Sequence, residues 1–405
     1  MNEAKPLGLY LHIPFCKSKC IYCDFYSLPR AEEEMDRYVA ALKKHLTDTA
    51  PAAALHRVDT VYFGGGTPSY LGEKRLCELL ETLFRHYSVA ADAEITLEAN
   101  PDSLGARNTV RALVQAGINR ISLGVQSADD RQLRQLGRIH TFSEVVQAVD
   151  AARAGGIENL SLDLIYGLPE QDAGSWRDTL EKVVALAPEH LSCYGLKVEE
   201  GTPLWTLQNT LSLPDDDLQA DMYLQAADLL TQRGYEHYEI SNFAKPGRAS
   251  RHNMKYWTLG EYAGFGPGAH SDFGGIRYAY VRDLDRYCRG VEGQGDLFSE
   301  REAISPEERA MEFLMLGLRT ARGVSAAAFE ARFQRSFAPI AAVLERFCAS
   351  GHAARRDGQF ALTTQGFLVS NQIISLVLDA MAERTAKTKF ALIFKKSPAI
   401  RSLLP

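Results

Sequence analysis

The first 200 residues alternate short apolar runs with segments in which apolar residues recur at helical spacing. Runs rich in Val, Ile and Leu, separated by helices, indicate parallel βαβ units. Six such units are too few for a closed eightfold barrel, so residues 1–200 are predicted to form an α/β fold with a partial (β/α)6 barrel. The predicted strands cover 9–15, 58–63, 94–99, 120–125, 159–165 and 190–198, and the predicted helices cover 36–46, 74–87, 103–116, 143–154 and 175–186.

The pattern changes after residue 200. A helix is predicted over 215–232, because it begins with acidic residues and is followed by Gly234, and a strand is predicted over 235–240. Residues 242–270 are rich in glycine, aromatic and polar side chains, which predicts a loop close to a ligand. We therefore assign residues 201–300 to an α+β extension that carries this loop.

The last third predicts a small separate domain over residues 301–380. Helices over 307–318, 326–333 and 340–348 precede a hairpin at Asp357-Gly358, whose second strand is 359–362, and a last helix over 364–378. Helices followed by a short β-wing resemble a winged-helix domain, which either binds DNA or acts as a packing or partner module. The basic tail, residues 381–405, lacks a period and is expected to be flexible.

The composition narrows the range of partners and compartments. Hydrophobic residues make up 46% and charged residues 24%, as in ordinary globular proteins. The formal net charge of -6 gives no general reason to expect nucleic acid as a partner. No run reaches the roughly 18 apolar residues of a membrane span, and the N-terminus lacks the pattern of a signal peptide. We expect a cytoplasmic protein without a membrane span, and peripheral membrane contact stays open.

Three of the seven cysteines lie within eight positions, as Cys16-Lys-Ser-Lys-Cys20-Ile-Tyr-Cys23. They directly follow the first predicted strand, at the carboxyl end where parallel sheets place their active sites. Four irons ordinarily take four thiolates, so three cysteines leave one iron of a [4Fe–4S] cluster open to a ligand. The alternative is a structural zinc site, which requires a fourth cysteine or histidine. His12 is the nearest candidate, but it lies within the predicted strand.

Polar and glycine residues follow the other predicted strands. Gly64-Gly-Gly-Thr-Pro68 ends the second strand, and its glycines let the backbone approach a ligand closely. Each polar residue alone could be a surface or packing residue, but their shared place at one rim predicts a ligand site. Carboxylates and amides there can hold hydroxyl groups and an ammonium, and an arginine can hold a carboxylate. These polar residues are Glu98, Gln126, Arg138 and Asp163.

The cysteine spacing, with Tyr22 before the third cysteine, resembles the radical S-adenosylmethionine (SAM) superfamily. That resemblance implies that the open iron binds SAM, whose reductive cleavage yields methionine and a 5′-deoxyadenosyl radical. Further motifs, in order along most of the chain, resemble the oxygen-independent coproporphyrinogen III oxidase family, including its C-terminal HemN domain. They are Leu9-Tyr-Leu-His-Ile-Pro-Phe-Cys16, Gly64-Gly-Gly-Thr-Pro68, Glu98-Ala-Asn-Pro101, Asn119-Arg-Ile-Ser-Leu-Gly-Val-Gln126, Leu136-Gly-Arg-Ile-His140 and Asp163-Leu-Ile-Tyr-Gly-Leu-Pro169.

The same resemblance implies a set of residues that contact SAM, some of them a second SAM molecule in the authentic oxidase. The expected SAM-binding residues are Tyr10, Tyr22, Gly65, Gly66, Thr67, Glu98, Gln126, Arg138 and Asp163.

One departure points to a different branch of this family. The oxidase continues to a fourth cysteine, where this chain has Phe25. Instead, Tyr238-Glu-Ile-Ser-Asn-Phe-Ala-Lys-Pro-Gly247 and Arg251-His-Asn-Met-Lys-Tyr-Trp257 resemble the heme-chaperone branch. That branch implies heme binding and delivery to acceptor proteins, with the cluster and SAM as accessories. The alternative function is oxidative decarboxylation of coproporphyrinogen III.

His252 is the candidate heme ligand, because a neutral imidazole can ligate heme iron. A packed or hydrogen-bonded histidine is the competing interpretation. His237, His270 and Cys193 are weaker candidates, and Cys193 is expected to be a buried small hydrophobe.

Overall fold

The structure is a computed structural model that describes residues 4–382. The strands are β1 (Lys5–Ile13), β2 (Phe15–Cys16), β3 (Leu28–Pro29), β4 (His56–Gly65), β5 (Val89–Ala99), β6 (Arg120–Gln126), β7 (Leu160–Tyr166), β8 (His190–Gly195), β9 (Glu236–Glu239), β10 (Asn242–Ala244), β11 (Tyr262–Phe265), β12 (His270–Phe273), β13 (Ile276–Tyr280), β14 (Phe298–Ala303), β15 (Val324–Ser325), β16 (Ala353–Arg356) and β17 (Gln359–Leu362).

Helices connect and cover these strands. They are α1 (Met35–Thr49), α2 (Glu73–His86), α3 (Arg107–Gln115), α4 (Asp130–Gln135), α5 (Phe142–Gly155), α6 (Ala173–Val184), α7 (Pro203–Leu207), α8 (Asp216–Gln232), α9 (Arg251–Trp257), α10 (Leu284–Val291), α11 (Pro306–Gly317), α12 (Ala326–Phe333), α13 (Ala338–Ala349), α14 (Thr364–Leu368) and α15 (Ser370–Ala382). Within residues 4–382, no helix combines the length and hydropathy needed to cross a bilayer.

The predicted partial barrel is confirmed. Strands β1, β4, β5, β6, β7 and β8 pair in parallel in that spatial order. All seven residues of β6 are buried, as expected for a strand covered on both faces. Helices α1 and α2 cover the sheet with apolar faces that bury Leu42 and Leu79. The carboxyl ends of these six strands therefore form one rim, which carries the candidate site.

Residues 201–300 extend both edges of the same sheet. Strand β11 pairs in parallel with β1, aligning Tyr10 with Gly264, and β12 to β14 continue antiparallel beyond it. At the other edge β10 pairs antiparallel with β8, and β9 follows. The described residues thus form one 12-stranded sheet that includes the extension.

The motif around His252 is a helix, α9, and the prediction of a loop there was wrong. Ser250 caps this helix by accepting a hydrogen bond from the backbone N–H of Asn253. Glu94, 157 residues earlier in the chain, accepts hydrogen bonds from the N–H groups of Arg251 and His252, both at 3.0 Å. A carboxylate at a helix N-terminus satisfies free donors and complements the dipole, so a distant strand stabilises this short helix.

The winged-helix-like C-terminal domain is confirmed. Helices α11 to α13 precede a three-stranded sheet in the order β15-β17-β16, and α14 and α15 follow. The predicted single helix over 364–378 is two helices, because Val369, with φ -110° and ψ 19°, leaves helical geometry. Residues 383–405, most of the basic tail, lie outside the described residues, so its expected flexibility stays a prediction.

Candidate functional site

The three clustered cysteines lie on a loop at the carboxyl end of β1. Cys16 is buried, whereas Cys20 and Cys23 are partly exposed, and all three are free thiols. Strands β2 and β3 pair in parallel, and the N–H of Arg30 donates to the carbonyl of Cys16 at 3.0 Å. Both ends of the cysteine loop are therefore held at the barrel mouth.

The donor set fits an iron–sulfur cluster with three protein ligands. Burial, with a smaller contribution from the neighbouring thiols, raises the pKa of the Cys16 thiol and raises that of Cys23 to about 11. Thiolate ligation requires a metal to reverse these shifts. Within residues 4–382, no group of three or more His, Cys, Asp or Glu side chains is arranged as a metal site. The thiols share one loop, and the loop would have to draw them together around a cluster.

The zinc alternative depends on His12 as its fourth ligand, and His12 is already hydrogen-bonded through both ring nitrogens. The Nδ1 atom of His12 bonds the hydroxyl of Tyr10 at 3.0 Å, and its Nε2 donates to the carbonyl of Tyr26 at 2.9 Å. Burial lowers the pKa of His12 to about 4. His12 is therefore a neutral side chain with both ring nitrogens engaged.

The glycine turn packs directly on the cysteine loop. The N–H groups of Gly66 and Thr67 donate to the carbonyls of Ile13 and Phe15, at 2.9 and 2.7 Å. A Cβ on Gly66 would lie 2.7 Å from the carbonyl oxygen of Phe15 and 3.0 Å from the Cys16 Sγ. Glycine is thus required at position 66 by close approach of two backbones.

A chain of hydrogen bonds links the cysteine loop to three other loops, which follow β4, β5 and β6. Thr67 Oγ1 donates to Cys16 Sγ at 3.5 Å, and Asn100 Nδ2 donates to Thr67 Oγ1 at 3.1 Å. Arg138 donates from Nη1 to Asn100 Oδ1 at 2.8 Å and from Nη2 to the Tyr22 hydroxyl at 2.7 Å. The structure thus brings together the predicted residues Thr67, Arg138 and Tyr22. The buried Nε of Arg138 has no hydrogen-bond partner among the described residues, so it remains available as a donor.

Asn100 was missed by the sequence analysis, although it lies in the motif quoted for Glu98. Its amide connects Thr67 with Arg138, so it aligns two of the predicted ligand-binding residues. The available signal was its position, two residues beyond Glu98 and directly after β5.

Glu98 lies beside the glycine turn. Its carboxylate accepts hydrogen bonds from the Tyr62 hydroxyl at 2.8 Å and from the N–H of Gly65 at 3.1 Å. Burial raises the pKa of Glu98 from 4.5 to about 7, a shift that these two hydrogen bonds oppose. The Tyr10 ring stacks on Tyr62 with centroids 6.2 Å apart. Tyr62 was also not predicted as a site residue, because a tyrosine inside an apolar strand is usually part of the hydrophobic core.

Gln126 lies at the rim of the barrel, whereas Asp163 lies within a strand, further from the rim. Gln126 has φ +67°, a left-handed conformation rare for a residue with a side chain, at the end of β6. A Cβ on Gly124 would lie 2.9 Å from both the Gln126 Nε2 and the Asn100 Oδ1, so the Gln126 amide reaches the site. Asp163, in contrast, lies within β7, where its carboxylate accepts hydrogen bonds from three serine hydroxyls. They are Ser122 at 2.9 Å, Ser161 at 3.1 Å and Ser192 at 2.7 Å.

His252 is sealed inside the barrel, below the rim. It is 0% exposed, its Nδ1 bonds Thr60 Oγ1 at 2.9 Å and its Nε2 bonds the Tyr256 hydroxyl at 2.8 Å. Burial lowers its pKa to about 3. Ligation of heme iron by His252 stays a prediction, and it would require one of these hydrogen bonds to break. Of the weaker candidates, Cys193 is buried, whereas His237 is partly buried and stacks on Phe243 with centroids 4.2 Å apart.

His270, the remaining weaker candidate, lies at the start of β12 and is partly buried. Burial, together with the positive charges of Arg282 and Arg277, lowers its pKa to about 4. Its neutral imidazole keeps the chemistry of a ligand, and its role in heme binding stays a prediction.

Comparisons with known proteins give the class. Residues 10–183 match the sequence model of the radical SAM superfamily, and residues 304–369 match that of the HemN C-terminal domain. The fold is similar to coproporphyrinogen III oxidase (HemN) from Escherichia coli, a radical SAM enzyme, with a TM-score of 0.81 and 25% identity over 93% of this chain and 90% of that chain. Fold and site therefore define a radical SAM protein with a HemN C-terminal domain.

Full-length relatives give the family. Heme chaperone HemW from Bacillus subtilis is 35% identical over 91% of this chain and 98% of its own length, and the Escherichia coli protein of that name is 36% identical over 93% and 100%. The mitochondrial radical S-adenosyl methionine domain-containing protein 1 of Bos taurus is 37% identical over 78% and 74%. The chain belongs to the HemW family of heme chaperones, as the resemblance around His252 and Phe25 predicted.

Proposed function

We propose that this protein binds heme and transfers it to acceptor proteins in the cytoplasm. The observation that carries the proposal is similarity to HemW along essentially the whole chain, covering 98% of the Bacillus relative. Phe25 at the position of the oxidase's fourth cysteine supports it, because a phenylalanine offers neither a metal ligand nor a hydrogen bond there.

We further propose that Cys16, Cys20 and Cys23 hold a [4Fe–4S] cluster and that the rim binds SAM. Membership of the radical SAM superfamily implies both groups. The cluster would supply an open iron and, on reduction, an electron to SAM. The residues around the cluster would bind and orient SAM. Glu98 is hydrogen-bonded to the glycine turn, and the Arg138 guanidinium is hydrogen-bonded to Tyr22 of the cysteine loop.

An anaerobic titration of the cluster-loaded protein with heme tests the function. A Soret band that saturates at a defined stoichiometry, followed by transfer of heme to an added apo-hemoprotein, is the expected result. Transfer no faster than from free heme in buffer would contradict the chaperone function.

Coproporphyrinogen III oxidation is the second candidate, favoured by the similarity to HemN over 93% of the chain. We expect no protoporphyrinogen from coproporphyrinogen under reducing conditions with SAM present. Phe25→Cys should not create the activity, because one thiol does not build a pocket that holds the substrate against the reacting carbon. Product formation with stoichiometric SAM consumption would assign the protein to the oxidases.

Glu98 makes SAM binding depend on pH. Its pKa of about 7 leaves part of the carboxyl protonated at neutral pH, whereas accepting hydrogen bonds from a ligand's hydroxyl or ammonium requires the carboxylate. SAM affinity should therefore fall as pH drops below about 7, by up to about tenfold per pH unit. Calorimetric titration between pH 5.5 and 8 measures this, and Glu98→Gln should bind weakly with a flat profile. An equally steep profile in Glu98→Gln would assign the titration to another group.

The same pKa shift affects folding in the opposite direction. Because the pKa of Glu98 is raised in the folded state, its contribution to stability is complete below pH 4.5 and is lost as pH rises through 7. Chemical unfolding of Glu98→Gln should lack this decline, which gives a readout independent of SAM.

His252→Ala should lower the free energy of unfolding by about 2–4 kcal/mol, because it empties a buried site and leaves Thr60 and Tyr256 without a partner. Urea unfolding followed by circular dichroism measures the loss. Heme titration of the same variant then tests ligation. A changed Soret position or affinity would support His252 as the ligand, and identical heme spectra would leave it a packing residue.

A further inference from the structure

The hydrogen bonds that run from Arg138 to Cys16 have a direction that side-chain chemistry fixes. A guanidinium carries donors only, so the Asn100 atom that lies 2.8 Å from Arg138 Nη1 is the amide oxygen. The amide nitrogen of Asn100 is thereby turned toward Thr67, whose Oγ1 it reaches at 3.1 Å. Because that nitrogen can only donate, the Thr67 hydroxyl accepts there and keeps its single proton for another partner.

The partner left for this proton is the Cys16 thiol. Thr67 Oγ1 lies 3.5 Å from Cys16 Sγ, and both side chains are buried. The two residues are also joined through their backbones, because the N–H of Thr67 donates to the carbonyl of Phe15 at 2.7 Å. We therefore expect the hydroxyl to stay beside this sulfur when the cysteine loop closes around a cluster.

A hydrogen bond to a ligating sulfur changes how readily an iron–sulfur cluster takes up an electron. The added electron increases the negative charge on the sulfur atoms, and a donor stabilises a more negative acceptor more strongly. The reduction potentials of such clusters accordingly depend on the hydrogen bonds to their sulfurs. A hydroxyl proton fixed toward Cys16 Sγ thus favours the reduced cluster.

We propose that the Thr67 hydroxyl raises the reduction potential of the cluster, and that Asn100 is the positioning residue that directs its proton to Cys16. This rests on the proposed [4Fe–4S] cluster, because it names how the surrounding chain would adjust that group. Arg138 acts indirectly in this arrangement. Its guanidinium fixes the amide of Asn100, the amide fixes the hydroxyl of Thr67, and only the hydroxyl contacts a cluster ligand.

Midpoint potentials of the reconstituted protein, measured without SAM in a mediated electrochemical titration, test the role of Thr67. Thr67→Val keeps a similar shape and removes the proton. The reduced cluster should then be disfavoured about tenfold, a shift of about 59 mV to more negative potential for a one-electron couple. Thr67→Ser retains the hydroxyl and should retain the wild-type potential. An unchanged potential in Thr67→Val would overturn the proposal.

Thr96→Val is the matched control for the loss of a threonine hydroxyl. Thr96 is buried on β5, and its hydroxyl has no hydrogen-bond partner among residues 4–382. This variant should have the wild-type potential. An equal shift in Thr96→Val would mean that the potential responds to any buried hydroxyl of the barrel, and would overturn the assignment to Thr67.

Asn100→Ala tests the positioning role and leaves the cysteine loop and Thr67 intact. Without the amide the Thr67 hydroxyl is free to turn, so the potential should fall, though by less than in Thr67→Val. Added to Thr67→Val, the same substitution should cause no further shift, because both changes remove one interaction. Equal shifts in the two backgrounds would overturn the positioning role of Asn100.

The outcomes also separate this role from the proposed cluster. A wild-type protein that binds no cluster would contradict both. If Thr67→Val alone fails to hold a cluster, Asn100→Ala decides, and an unchanged potential there would overturn the proposal while leaving the cluster in place.

Discussion

Cys16→Ala is expected to abolish the [4Fe–4S] cluster, with loss of its visible absorption after anaerobic reconstitution. The cysteine loop supplies three thiolates, and the cluster is expected to need all of them. Cys16 is the cysteine with the most hydrogen bonds to the surrounding structure. Its carbonyl accepts a hydrogen bond from Arg30, and its thiol accepts one from Thr67. A cluster with two protein ligands and two open irons is expected to be lost to solvent. Iron and sulfide analysis, together with the absorption spectrum, measures the loss.

Cys77→Ala is the control for this variant. Cys77 lies on α2, partly buried and distant in sequence from the cysteine loop, so its removal should leave the cluster content unchanged. An equal loss of iron in the Cys77 variant would overturn the assignment of three ligands to one loop.

Gly66→Ala is expected to eliminate SAM binding and to reduce cluster content severely, although it adds a single methyl group. That methyl would lie 2.7 Å from the Phe15 carbonyl oxygen and 3.0 Å from the Cys16 Sγ. Neither backbone can yield locally, because hydrogen bonds to Ile13 and Phe15 hold the glycine turn against the cysteine loop. Overpacking of this kind costs about 1–3 kcal/mol, and here it would displace the ligands of two groups.

Gly174→Ala controls for the added methyl. Gly174 lies in the first turn of α6, where a Cβ would meet nothing closer than the Asp172 carboxylate at 3.4 Å. That variant should bind SAM and hold the cluster as the wild type does. Normal SAM affinity in Gly66→Ala would mean that the glycine turn does not form the site.

The barrel strands could be predicted because each is a local apolar run between helices. The run at residues 120–125 became a fully buried strand that ends one residue later. The sheet extension could not be predicted in the same way, since β14 has no buried residue and is defined only by pairing with β13. Helix α9 was not predicted for a related reason. The carboxylate that stabilises its first turn belongs to Glu94, on a strand far away in the sequence.

At the site, residue type after a strand end predicted Arg138, whereas the family resemblance predicted Thr67 and Tyr22. Thr67, Arg138 and Tyr22 were predicted and lie in one hydrogen-bonded chain. The member that joins them, Asn100, could be recognised only by its position directly after β5, because its residue type is common in loops.

The position of β1 in the sheet has a consequence for synthesis. This strand lies between β4 and β11, so one of its neighbours follows within about 50 residues and the other, Tyr262–Phe265, is about 250 residues away. Chains grow from the N-terminus at about 5–20 residues per second, so the first strand keeps one open edge for many seconds. Open strand edges favour pairing with other chains. Nascent chains halted before residue 262 should therefore aggregate or recruit chaperones more than chains released after residue 265.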